Sequence, residues 1–90
     1  MFISLLQWDD YRLQHIAHHD VEAAEVWEVC QDPLHLAHRE GPDRYRLYGQ
    51  TADGRYLFVV LELVKGTVYR TITARDLTEG EKRSFRRLRK

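Results

Sequence analysis

The sequence predicts an α+β domain: an antiparallel sheet of about four to five strands with two N-terminal helices and one C-terminal helix, in the order β-α-α-β-β-β-β-α. Three observations lead there. Apolar residues recur at helical spacing over residues 11–30 and at strand spacing over residues 34–75. Asp53-Gly54 is a strong two-residue hairpin signal between two apolar runs. Thr78-Glu79-Gly80-Glu81 has the form of a capping box that opens a last helix. Ninety residues is the length of one small domain, read here as residues 1–90 without a linker or internal repeat.

Each element has its own signal. Phe2–Gln7 is short and apolar, a strand rather than a signal peptide, since no basic start or small-residue cleavage site accompanies it. Asp9 or Asp10 can cap a helix over Tyr11–His18, with Leu13, Ile16 and Ala17 on one face and Tyr11, His15 and His18 on the other. Asp20 can cap a second helix, Val21–Cys30, whose Ala23, Val26, Trp27 and Cys30 form the expected buried stripe and whose Glu22, Glu25 and Glu28 form a wet acidic face. Asp32-Pro33 ends the helical pattern. Leu34–Arg39 reads as an edge strand and Arg44–Thr51 as the next. Arg55–Val64 is apolar on both parities, so it belongs centrally in the sheet. Lys65-Gly66 turns into Thr67–Arg75, rich in β-branched residues. In the final helix Phe85 and Leu88 lie on one side, while Lys82, Arg83, Arg86, Arg89 and Lys90 spread over the other.

Composition excludes some classes. The hydrophobic share of 43% and charged share of 31% are those of a globular chain. The longest apolar run, Tyr56–Leu61, is far short of the ~20 residues of a membrane-spanning helix, so no membrane role is expected. A single cysteine, Cys30, rules out an internal disulfide and fits a reducing cytoplasm. The net charge of zero conceals an asymmetry. Residues 1–43 hold two arginines against nine carboxylates, and residues 44–90 hold twelve Lys/Arg against five. A basic surface meeting an anionic partner is the expectation.

Most site chemistries find little support. His15 with His18 or His19 has ligand-sharing helical spacing, but no Cys or carboxylate completes a metal pattern. Cys30 falls on a buried stripe, where thiols are inert. No nucleophile elbow or phosphate loop is present, and no cofactor is implied. What remains is a sheet face with interleaved arginines and aromatics. Along Thr67–Arg75, strict alternation directs Tyr69, Thr71, Thr73 and Arg75 to solvent and Val68, Ile72 and Ala74 inward, while Arg44, Arg46 and Tyr48 alternate with Tyr45 and Leu47. Beside an Arg-rich helix, such a face suits RNA: arginine holds phosphates and rings stack on unpaired bases.

Several stretches, taken in order, resemble the BrnT family of toxins: Trp8-Asp9 through His15-Ile16-Ala17-His18-His19, Asp32-Pro33-Leu34, Arg44-Tyr45 with Tyr48-Gly49-Gln50-Thr51, Asp53-Gly54-Arg55-Tyr56-Leu57, and Ile72-Thr73-Ala74-Arg75-Asp76 followed by Thr78 and Glu81. The similarity spans roughly residues 8–87. It implies a RelE-like fold and a metal-independent endoribonuclease of a toxin–antitoxin pair, held in check by a BrnA-like antitoxin through which alone it would meet DNA. It further implies His19 as general acid or base, with Arg44 and Arg75 stabilising the phosphate. Tyr45, Arg46, Tyr48, Arg55, Tyr69, Lys82, Arg83 and Arg86 are then the expected RNA contacts. Three positions depart from the family pattern: Asp20 replaces a glycine, His18 a basic residue and Phe85 a tyrosine. An alternative from another class is a non-catalytic module that binds an antitoxin or nucleic acid.

Overall fold

A computed structural model describes residues 1–89; Lys90, assigned above to the basic side of the last helix, lies outside them. The elements are β1 (Leu5–Gln7), α1 (Asp10–Ala17), α2 (Ala23–Gln31), β2 (Leu36–Glu40), β3 (Arg44–Gln50), β4 (Tyr56–Lys65), β5 (Val68–Asp76) and α3 (Glu79–Leu88). The α+β class and element order are those the sequence predicts. The five strands form one sheet in the order β1-β5-β4-β3-β2. Three hairpins make β2 to β5 antiparallel. β1 instead pairs parallel with β5, so the sheet is mixed rather than wholly antiparallel. No hairpin links these two strands. The whole of α1 through β4 lies between them, which leaves the parallel pairing open.

One face of the sheet makes the core. Leu47, Leu57, Val59, Leu61 and Ala74 pack with Ile16 of α1, with Val26, Val29 and Cys30 of α2, and with Ile3 and Leu6. In α2 the buried stripe runs through Val29, while Trp27 stays 39% exposed, contrary to the stripe read from spacing. The reason is a close approach to β3. A Cβ on Gly49 would lie 2.7 Å from Val29 Cγ1, so this glycine sets how deeply α2 settles and which side faces the sheet.

The link between the first two helices also differs from expectation. Asp9 caps α1, accepting from the Arg12 N–H at 2.7 Å, but Asp20 does not cap α2. Its φ is +57°, in the left-handed region. The Asp20 N–H donates to Ala17 O at 3.0 Å and the Val21 N–H to Ile16 O at 3.1 Å, which closes α1 as a Schellman motif with Val21 and Ile16 both buried. The residue before α2 is Glu22, whose N–H donates to Glu25 Oε1 at 3.0 Å.

A bulge in β5 changes which residues face solvent. Val60 pairs with Thr73 but Leu61 pairs with Thr71, so Ile72 is an extra residue and the side-chain parity flips across it. Before the bulge, Tyr69 and Thr71 point into the core; after it, Ala74 does. α1 holds the bulge in place: Arg12 donates to Ile72 O at 3.2 Å, and His15 Nε2 lies 3.1 Å from Thr73 Oγ1.

α3 lies on the other face. Thr78 caps it in the expected capping box, accepting from the Glu81 N–H at 3.2 Å while Glu81 accepts from the Thr78 N–H at 2.9 Å. Phe85 is 2% exposed and meets Tyr56 edge-on, with ring centroids 5.9 Å apart. The far end is anchored by Arg89, which donates to both oxygens of Asp32, at 2.6 and 3.0 Å. Asp32 is itself buried and accepts from the Leu34 and Gln50 N–H groups. Burial pushes its carboxyl upward, but Arg89 and those two amides outweigh it and leave it below the usual carboxylate range.

Candidate nucleic-acid interface

On the face opposite the core, register sets side chains in rows across the strands. One row runs Leu36, Tyr48, Phe58 and Arg75; the next runs His38, Arg46, Val60 and Thr73; a third runs Glu40, Arg44, Glu62 and Arg70. α3 stands over one end of this surface and leaves the rest partly open.

The first row is tightly organised. Arg75 makes two hydrogen bonds to Glu81, at 2.9 and 3.2 Å, and its guanidinium carbon sits 4.4 Å from the centroid of the Phe58 ring. Phe58 in turn tilts against Tyr48 at 5.3 Å, and His38 meets Tyr48 edge-on at 6.4 Å. The Arg75 guanidinium holds the Glu81 carboxyl down to about 2 against a smaller upward push from burial, with the Thr78 N–H adding to the lowering. A cavity of about 370 Å³ opens beside this row between β2, β3 and α3. Leu36, Tyr48, Phe85 and Leu88 give it apolar walls, and His38, Arg46, Glu81 and Ser84 give it polar groups.

The remaining arginines of this face are paired more loosely. Arg46 Nε lies 3.5 Å from Glu40, Arg70 Nε 3.3 Å from Glu62, and Arg44 3.9 Å from the same Glu62. The face is therefore a ladder of mixed charge, with four arginines against three carboxylates. The unshared positive charge lies on α3, where Arg83, Arg86 and Arg87 line a second depression. Arg86 also stacks over Tyr56 at 5.2 Å, and Lys82 pairs with Glu79 at 3.3 Å.

Of the residues expected in the site, the structure gathers Arg46, Tyr48 and Arg75 and disperses others. Tyr69 is 7% exposed and meets Tyr45 edge-on in the core, with centroids 5.7 Å apart. Neither tyrosine reaches the open face. The bulge accounts for Tyr69, and Tyr45 lies on the core parity of β3. Arg55 is also withdrawn: it binds Glu25 and Asp76 and donates to the carbonyls of Asp20 and His19. It is a clamp on the core side rather than a free cation, and its partners raise its pKa further.

The expected catalytic trio of His19, Arg44 and Arg75 is not brought together. Arg44 stands two rows and two strands from Arg75, roughly 16 Å by strand geometry. His19 lies two residues beyond α1, with its carbonyl tied to Arg55 on the core side and its ring centroid 6.0 Å from that of His15. The histidine facing the cavity is His38. Sequence reasoning missed it, along with Arg70. For His38 the available signal was its alternation with Leu36 on an edge strand. The sequence accounts for Glu81 as a helix cap and also allows it as an ion-pair partner of Arg75; the structure shows both roles at once. Among the described residues no three His, Cys, Asp or Glu side chains cluster to hold a metal ion. Burial pushes the Cys30 thiol up to about 12, so no thiolate is at hand. No described helix is long and apolar enough to cross a membrane.

Compared with known proteins, the chain matches no family model and no curated sequence.

Proposed function

We propose that this chain binds single-stranded RNA on the open sheet face and cleaves it, as the RNase toxin of a toxin–antitoxin pair. The observation that carries this reading is the Arg75–Glu81 pair beside Tyr48 and the cavity. RNA brings its own nucleophile, so the protein needs only a base, an acid and cations for the phosphate. A phosphate entering the face competes with Glu81 for Arg75. Once the guanidinium turns to the phosphate, the Glu81 carboxyl loses the group that holds it down, its pKa rises, and it becomes a better base for the 2′-hydroxyl proton. The 2′-oxygen attacks the adjacent phosphorus and the bond to the 5′-oxygen breaks. That oxygen takes a proton from His38 or Tyr48, leaving a 2′,3′-cyclic phosphate and a 5′-hydroxyl. Arg83, Arg86 and Arg87 draw the strand in.

The ordered similarity to the BrnT family supports the same reading and carries with it a RelE-like fold, a cytoplasmic setting and a BrnA-like antitoxin as protein partner, with DNA met only through that partner. A non-catalytic binding module is the second reading. It is favoured by the low pKa of Glu81, which makes it a weak base as long as Arg75 stays bound. Expression of the chain alone in bacterial cells separates the two. Growth arrest that disappears in Arg75→Ala supports cleavage, and undisturbed growth with a folded, abundant protein supports binding alone.

A further inference from the structure

We propose that the cavity between β2, β3 and α3 is a subsite for one unstacked guanine base of the RNA strand, an inference that rests on the RNA-binding reading above. Its volume of about 370 Å³ lies at the small end of ligand sites. Leu36, Phe85 and Leu88 wall it with apolar surface, and the Tyr48 ring, fixed by Phe58 and His38 on either side, supplies a flat platform. Leu88 is 66% exposed at its mouth, on a helix otherwise charged outside, and has no other evident role among the described residues. Such walls suit a planar ring, and base stacking on an aromatic side chain is the usual way proteins hold unpaired RNA.

The polar groups choose among the bases. Arg46 has donors to spare: its Nε is buried at a long 3.5 Å from Glu40, and its two terminal Nη groups make no hydrogen bond among the described residues. Arg75 by contrast spends two donors on Glu81. A guanidinium fork matches two adjacent acceptors, as in guanine O6 and N7, whereas adenine presents an amino donor beside N7. The Ser84 hydroxyl lines the same wall and can accept a hydrogen bond from an N–H donor. Of the two purines only guanine carries two neighbouring acceptors, O6 and N7, with the N1–H donor beside them.

The test is a titration of the ¹⁵N-labelled protein with guanosine, adenosine, cytidine and uridine, which carry no phosphate, followed by amide shifts, with mixed-sequence single-stranded RNA titrated in parallel. Guanosine is expected to shift the Tyr48, Ser84 and Leu88 amides and to bind about tenfold more tightly than the other three, the discrimination of one good bidentate pair. Arg46→Gln should erase the preference, and Leu88→Glu, at an exposed position, should abolish guanosine binding with the spectrum otherwise unchanged. Equal affinity for all four nucleosides, or shifts confined to the outer arginines of α3, overturns the guanine subsite while RNA binding stands. No binding of RNA at all overturns the RNA-binding reading and the subsite together.

Discussion

Arg75 and Glu81 face each other across the junction of β5 and α3 through two hydrogen bonds, 2.9 and 3.2 Å long, so a strand residue and a helix cap share one ion pair. Glu81 also closes the capping box with Thr78. One carboxylate thus starts the helix, fixes it to the sheet and holds the arginine of the proposed site.

This pairing makes stability depend on acid. The Glu81 carboxyl is held at about 2, below its ordinary 4.5, chiefly by Arg75. A depressed carboxylate contributes stability that is fully present above its unfolded pKa and is lost as pH falls from about 4.5 to about 2. The pair is partly exposed, and solvent screening limits the contribution to about 1–2 kcal/mol. Glu81→Gln should lower the melting temperature at pH 7 and flatten its fall across that acid range. Thermal melts at a series of pH values check this, and parallel curves for the two proteins would contradict it.

Asp20 holds a left-handed conformation, φ +57°, at the C-terminal end of α1. A side chain is disfavoured there, and an acidic one opposes the helix dipole as well. Asp20→Gly is expected to stabilise the protein by about 0.5–1 kcal/mol. Its carbonyl, which accepts from Arg55, is retained. Chemical denaturation measures the change; a loss of stability would show that the aspartate side chain contributes something beyond this geometry.

Thr71 is fully buried, and its hydroxyl has no hydrogen-bond partner among the described residues. Thr71→Val keeps the shape and removes the unpaired group, so stability should rise by about 1 kcal/mol. A lower midpoint in urea would instead mean that the hydroxyl is bonded in solution.

The element order was legible because its signals are local. Caps at Asp9 and Thr78, the Asp53-Gly54 turn and the apolar run of β4 each act over a few residues. The parity of β5 was not, since one extra residue at Ile72 flips everything before it, and nothing in a β-branched stretch marks where a bulge falls. Tyr69 and Thr71 were misplaced for that reason alone. Asp20 could be read as either a cap or a left-handed residue, because aspartate serves both roles. Within the site, Arg46, Tyr48 and Arg75 followed from alternation. The use of Arg55 as a clamp depends on Glu25 and Asp76, distant in sequence and joined only by the fold.

Cleavage by the purified chain tests RNA processing at the Arg75–Glu81 face most directly. End-labelled single-stranded RNA is incubated with the wild-type protein and with folded Arg75→Ala, both in the presence of a metal chelator. The expected result is products ending in 2′,3′-cyclic phosphate, slowed by roughly 100-fold or more in Arg75→Ala, the scale of losing one transition-state donor. RNA left intact by the wild-type protein, or cut equally fast by the variant, would contradict it.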